Sequence, residues 1–198
     1  MHQYYIVYKP FQVLSQFTSQ EGKRTLKDFF PVPGDCYPVG RLDSDSEGLL
    51  ILTNDTALNH RLLNPLFAHQ REYWVQVDGA ITPEAINTLE TGVTIAVDGK
   101  PYRTRPAIVN LFETPPAVPE RDPPIRYRAN IPTSWISMSL IEGKNRQVRK
   151  MTAQAGFPTL RLIRHRIARL SLEGLNPGEM RWLSRIETYS LLFDERNH

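Results

Sequence analysis

The chain has 198 residues, 40% of them apolar and 23% charged, with a net charge of +3. That length supports a full hydrophobic core, and the single cysteine, Cys36, excludes an internal disulfide framework or a cysteine-built zinc site, which fits a reducing cytoplasm. No apolar run approaches the roughly 20 residues of a bilayer span, and the start has no signal-peptide pattern, so neither membrane insertion nor export is expected.

Tyr4 to Tyr8 alternates aromatic and β-branched residues before Lys9-Pro10, which predicts a strand. Thr25 to Phe30 reads as a short helix closed by Pro31-Val32-Pro33-Gly34. Leu49 to Thr53 is a continuous apolar run of strand length, and Asn54 or Asp55 can cap a helix running to Leu63, with Pro65 as its stop. Glu72 to Val77 is a further strand ending at Asp78-Gly79. Thr82-Pro83 starts a helix that Gly92 ends, and residues 93–97 and 101–111 read as two strands joined around Asp98-Gly99.

From Glu113 to Pro132 six of the sixteen prolines gather in a stretch with little apolar pattern, a long surface loop. Ser134 to Ile141 alternates as a strand, and Asn145 can cap a helix whose apolar stripe is Val148, Met151, Thr152 and Ala155, stopped by Gly156 and Pro158. Leu160 to Leu172 interleaves Leu and Ile with Arg, as a strand with one basic face would, and Trp182 to Phe193 reads as a helix. Strands interspersed with helices, several joined as hairpins, predict an α+β fold with a largely antiparallel or mixed sheet, as one domain or as two lobes sharing a cleft.

Charge is unevenly spread. Lys144 to Arg169 holds eight basic residues (Lys144, Arg146, Arg149, Lys150, Arg161, Arg164, Arg166, Arg169) and no acid, leaving 16 basic against 21 acidic residues, or −5, elsewhere. A polyanion-binding face has this segregation, because phosphate contacts supply most non-specific nucleic-acid affinity, but a solvated surface whose counter-charges come from elsewhere would have it too. The five histidines show no paired metal-ligand spacing, and no Gly-rich phosphate loop is present, so no metal and no nucleotide cofactor is expected.

The most informative segment is Gly40-Arg41-Leu42-Asp43-Ser44-Asp45-Ser46-Glu47-Gly48-Leu49-Leu50, three alternating carboxylates running into a glycine and a strand. A calcium loop would need a bidentate acid where Asn54 stands, and helices where turn and strand patterns lie. The acids could cap neighbouring NH groups or pair with Arg41, could serve a metal-dependent hydrolase, or could include one catalytic carboxylate.

Pro38-Val39-Gly40-Arg41-Leu42-Asp43 followed by Glu47-Gly48-Leu49-Leu50-Ile51-Leu52-Thr53-Asn54-Asp55 resembles the signature of the RNA pseudouridine synthases of the small-subunit ribosomal type. Arg71-Glu72-Tyr73-Trp74-Val75 resembles that family's tyrosine-bearing strand, and Glu142-Gly143-Lys144-Asn145-Arg146-Gln147-Val148-Arg149-Lys150-Met151 its third motif; Lys9-Pro10 and Gly178-Glu179-Met180-Arg181 also match. The resemblance spans nearly the whole chain. It implies the pseudouridine synthase fold with a central RNA-binding cleft, and cofactor-free isomerisation of a flipped-out uridine in ribosomal RNA, with 23S RNA of the large subunit favoured.

The same resemblance gives Asp43 the nucleophile's role, Tyr73 a place beneath the uracil, and Arg149 an ion pair with Asp43. Arg41 would fill the vacated stack or hold the displaced strand. RNA contacts would fall to Lys9, Lys144, Asn145, Arg146, Gln147, Lys150, Arg161, Arg164 and Arg166, and the loop's Arg121, Arg126 and Arg128 could add to them. The catalytic-domain pattern begins almost at Met1, so one domain over 1–198 without a preceding small RNA-binding module, acting as a monomer, is expected. The rival from another class is a non-catalytic RNA-binding or ribosome-assembly protein sharing the fold, which would have no use for Asp43 as a nucleophile.

Overall fold

The computed structural model describes residues 2–125 and 131–193. In chain order the elements are β1 (Tyr4–Lys9), β2 (Val13–Leu14), β3 (Arg24–Thr25), β4 (Tyr37–Pro38), β5 (Glu47–Thr53), α1 (Thr56–Leu63), β6 (Arg71–Asp78), α2 (Pro83–Thr91), β7 (Thr94–Val97), β8 (Lys100–Arg103), β9 (Ile108–Leu111), β10 (Thr133–Leu140), α3 (Gln147–Gln154), β11 (Thr159–Ile167), β12 (Leu170–Ser171), β13 (Met180–Trp182) and α4 (Arg185–Phe193). They fall into two units, one formed by Met1–His69 with Arg164–His198 and the other by Gln70–Ile163.

In the first unit β1 pairs antiparallel with β5 on one side and β13 on the other. The register sets Val7 opposite Leu50 and Tyr5 opposite Leu52, so alternation sends these side chains to one face, where Val13, Leu26 and Phe30 complete a cluster. Tyr4, Ile6, Leu49 and Ile51 point to the opposite face and are buried as well. All seven residues of β5 are buried, which is why its sequence is a continuous apolar run instead of an alternating one. Each such Leu or Ile contributes about 1.5–3 kcal/mol by leaving water.

Asp55 is the cap of α1. Its Oδ1 accepts from the NH groups of Ala57 and Leu58 at 3.0 and 3.1 Å, while Oδ2 accepts from the hydroxyls of Tyr4 and Tyr189, both at 2.8 Å. Burial by itself raises its carboxyl, but the hydroxyls of Tyr189 and Tyr4 and the Leu58 NH outweigh it and hold the group below the usual carboxylate range.

In the second unit β10 lies between β6 and β9, antiparallel to both. One face of this sheet carries Val75, Val77, Val109, Ile136, Met138 and Leu140, and α2 (Ala85, Leu89) and α3 (Val148, Met151) share their cluster. The β7–β8 hairpin turns at Asp98 and Gly99, both at positive φ (49° and 75°), the two-residue geometry that Asp-Gly favours.

Several expected boundaries shift. Residues 101–111 make two strands: the Thr104 hydroxyl accepts the Val93 NH, and Pro106 supplies no NH of its own, so the run breaks between β8 and β9. Thr25 to Phe30 holds one 3-10 turn, Leu26–Asp28. Trp182 ends strand β13, and the last helix starts only at Arg185. Asn145 is not the cap of α3; the chain enters that helix through Arg146 in the left-handed conformation (φ 52°). Residues 113–125 contain no helix or strand, while Arg126 and Arg128 lie outside the described residues.

Candidate active site

The segment carrying Asp43 is pinned on both sides. The Ser15 hydroxyl donates to the Leu42 carbonyl at 2.7 Å and accepts the Leu42 NH at 3.0 Å, while the Gln12 NH donates to Ser44 O at 2.7 Å. The Ser46 NH closes the turn onto Asp43 O at 3.0 Å. Leu42 is buried beneath, and Asp43 itself is exposed. Its backbone therefore has fixed neighbours while its carboxyl faces outward.

Under this turn lies a charged foundation. Glu47 is 2% exposed, Arg164 5% and Lys9 0%. Lys9 Nζ donates to the carbonyls of Pro10 and Val13 at 2.9 and 2.8 Å, and Arg164 Nε donates to Leu49 O at 2.8 Å. Burial pulls the Lys9 ammonium down to about 7, with Arg164 pushing the same way and Glu47, Asp45 and Asp43 opposing. Gly48 passes so close to the backbone of Arg164 that a Cβ there would stand 2.4 Å from its carbonyl oxygen. No group of three His, Cys, Asp or Glu among the described residues is arranged to hold a metal, the three motif acids included.

In the second unit Tyr73 lies on β6 opposite Met138 and packs, partly buried, on the apolar cluster to which α3 contributes Val148 and Met151. Arg149 is half-buried on the same helix. The third motif is fastened by Gln147, whose Oε1 accepts the Lys144 NH at 2.9 Å and whose Nε2 donates to Glu142 at 2.6 Å. Glu142 also accepts the Tyr102 hydroxyl (2.6 Å) and the Arg105 NH (2.8 Å). Lys144, Asn145 and Arg146 are exposed, with the Lys144 ammonium 4.8 Å above the Tyr102 ring and the Lys150 ammonium donating to Asn145 Oδ1 at 3.4 Å.

The first unit thus gathers Lys9, Asp43, Asp45, Glu47 and Arg164, and the second carries Tyr73 and Arg149 beside one core. Arg41 is exposed, two residues before Asp43, and Arg166 is exposed near the end of β11. Lys9, Gln147, Arg161 and Arg164 are buried instead of forming an exposed RNA-facing surface, because each is drawn into backbone or core packing. The single basic face expected for residues 160–172 is absent because Arg161 and Arg164, three apart on a strand, point to opposite faces. Arg121 donates to the carbonyl of Pro123 within its own loop. Sequence reasoning missed Ser15 and Gln12, lone polar residues about 30 positions from the loop they hold. A hydroxyl soon after Lys9-Pro10 is too common a feature to have flagged Ser15, and Gln12 acts through its backbone NH, which no side chain marks.

The family model for RNA pseudouridylate synthase matches residues 3–154. The chain belongs to that family. As an RNA pseudouridylate synthase it is an enzyme, with the α+β architecture described above. It is 48% identical over 176 residues to ribosomal large subunit pseudouridine synthase E of Vibrio vulnificus, covering 89% of this chain and 73% of that protein. It is 49% identical over 171 residues to the synthase E of Xanthomonas axonopodis pv. citri (85% and 87% covered) and 34% identical over 189 residues to ribosomal large subunit pseudouridine synthase B of Bacillus subtilis (95% and 70%). Among solved structures, a crystal structure of a pseudouridylate synthase is similar over 97% of this chain and 74% of its own, with a TM-score of 0.77 and 25% identity.

Proposed function

We propose that this synthase converts one uridine of large-subunit ribosomal RNA, the 23S molecule, to pseudouridine, with Asp43 as nucleophile. The observation that carries this reading is the fastening of Asp43: an exposed residue on a backbone clamped at Leu42 and Ser44 suits a nucleophile, since a group held in position has already met part of the entropy cost of attack. The large-subunit names of the related synthases favour the substrate.

In the reaction the bond from ribose C1′ to uracil N1 breaks, the ring turns, and C1′ joins C5. The C5 proton is lost and N1 gains one, so composition is unchanged and no cofactor is consumed. The uridine has to leave its stack, and Arg41, exposed two residues before Asp43, is suited to hold the vacated place. The motif match assigns Tyr73 to stack under the uracil and Arg149 to supply a cation to the reaction. Exposed Lys144, Arg146 and Arg166 bind phosphates in the cytoplasm, where the enzyme works as a monomer.

The test is incubation with unmodified ribosomal RNA followed by chemical mapping of pseudouridine. A single modified position in 23S RNA is expected, also in excess chelator. Asp43→Asn should form no product yet bind RNA; product formation by that variant would overturn the assignment.

A further inference from the structure

From the last residue of α1 to the start of β6 the chain leaves three large apolar side chains outside: Leu63 is 43% exposed, Leu66 88% and Phe67 50%. The last two sit on a 3-10 turn, Pro65–Phe67, that Asn64 caps through the Leu66 NH at 3.0 Å, so the exposure belongs to a hydrogen-bonded turn. Behind it the rings form a ladder. Phe67 stacks on His69 (centroids 6.0 Å apart, 27° between planes), His69 lies 5.3 Å from Phe193, and the Arg61 guanidinium sits 3.9 Å over the Phe193 ring.

Along the turn itself the charge has one sign. From His60 to Gln70 the chain carries Arg61, His60 and His69 and no acid. Flat apolar rings interleaved with cations match a nucleotide, whose base stacks while its phosphate needs positive charge; an apolar protein segment would have no use for the cations. Position points the same way. A Cβ on Gly40 would stand 3.0 Å from Leu63 Cδ2, so the turn begins against the segment that leads to Asp43.

We propose that Leu66, Phe67 and the His69–Phe193 ladder form a stacking platform for an unpaired nucleotide flanking the reacting uridine, with Arg61 facing its phosphate. The platform sets which uridine is presented to Asp43, and it rests on the synthase reading given above.

The experiment uses the RNA stem-loop that contains the mapped uridine, intact or with its unpaired nucleotides replaced one at a time by abasic residues that keep the phosphate. With the wild-type chain, one abasic position should weaken binding about five- to twentyfold. The L66S/F67S double variant should bind intact RNA about as weakly, lose its response to that abasic position, and raise KM with less than a twofold change in kcat. F67L keeps the apolar volume without the ring; it should restore thermal stability if the double variant loses any, but not affinity. A wild-type chain indifferent to every abasic replacement, or an unchanged KM in both variants, would overturn the platform. So would a dimer in sedimentation that L66S/F67S turns into monomer, which would make the patch a self-association surface. Failure of the wild type to form pseudouridine at all would sink the synthase reading instead.

Discussion

The Asp43 turn of the first unit and the Glu142–Gln147 segment of the second both join a carboxylate to a basic neighbourhood, yet they are built on opposite terms. Below Asp43 the support is charged, with Lys9, Glu47 and Arg164 buried, Lys9 donating to the carbonyls of Pro10 and Val13 and Arg164 Nε to that of Leu49. In the second segment the carboxylate is itself the support: Glu142 accepts from Gln147, Tyr102 and the Arg105 backbone and is committed to holding them. The difference separates two acids that look alike in sequence. Glu142 binds three donors and is scaffold; Asp43 is exposed on a turn fastened at both flanking residues.

The comparison breaks most readily at Gly48. Gly48→Ala puts a methyl into the Arg164 backbone at a position with φ 115°, so a loss of at least about 3 kcal/mol is expected in chemical denaturation. Next comes Asp55, the acid that anchors α1: Asp55→Ala strands two tyrosine hydroxyls and two helix NH groups and should cost about 3 kcal/mol. Because the folded state holds this carboxyl below its unfolded value, its contribution is complete above about pH 4 and is lost as pH falls through the lower folded value. Melting between pH 6 and 2 should show a steeper acid loss in the wild type than in Asp55→Asn.

Lys9 has the same sign in a higher pH window. Its folded value, about 7, lies below the unfolded 10.5, so between them the unfolded chain binds more protons and the Lys9 term favours folding increasingly as pH rises. Denaturation at pH 7 and pH 9 should reveal this slope, and Lys9→Met should flatten it. Gln147→Ala should remove only the clip between Lys144 and Glu142, costing about 1–2 kcal/mol, with a rise in KM for RNA as the exposed Lys144–Arg146 segment loosens. Asp43→Asn should leave melting within about 0.5 kcal/mol, because no core packing depends on an exposed side chain. A large loss there would return Asp43 to the scaffold class.

What the sequence made legible followed the strength of local pattern. β5, α1 and α2 were readable because a continuous apolar run, an Asp cap and a Thr-Pro start each leave few alternatives. The break between β8 and β9 was not, since it depends on Thr104 reaching back to Val93, eleven residues away. Asn145 looked like a cap because its side chain suits one, whereas the chain turns at Arg146 and Gln147 does the fastening. For the site, the order of the motifs exposed Asp43, Tyr73 and Arg149 as candidates. The basic composition of residues 144–169 did not show that Arg161 and Arg164 are buried, because charge counts do not say which guanidinium the core absorbs.

The close approach of Gly48 to Arg164 bears on how the acidic signature should be weighed in other chains. A stretch with the same three carboxylates but alanine after the glutamate could not bring the neighbouring strand to this spacing, and its aspartate would stand on a differently shaped support. The smallest residue in the motif thus sets the shape of the support on which its charges stand.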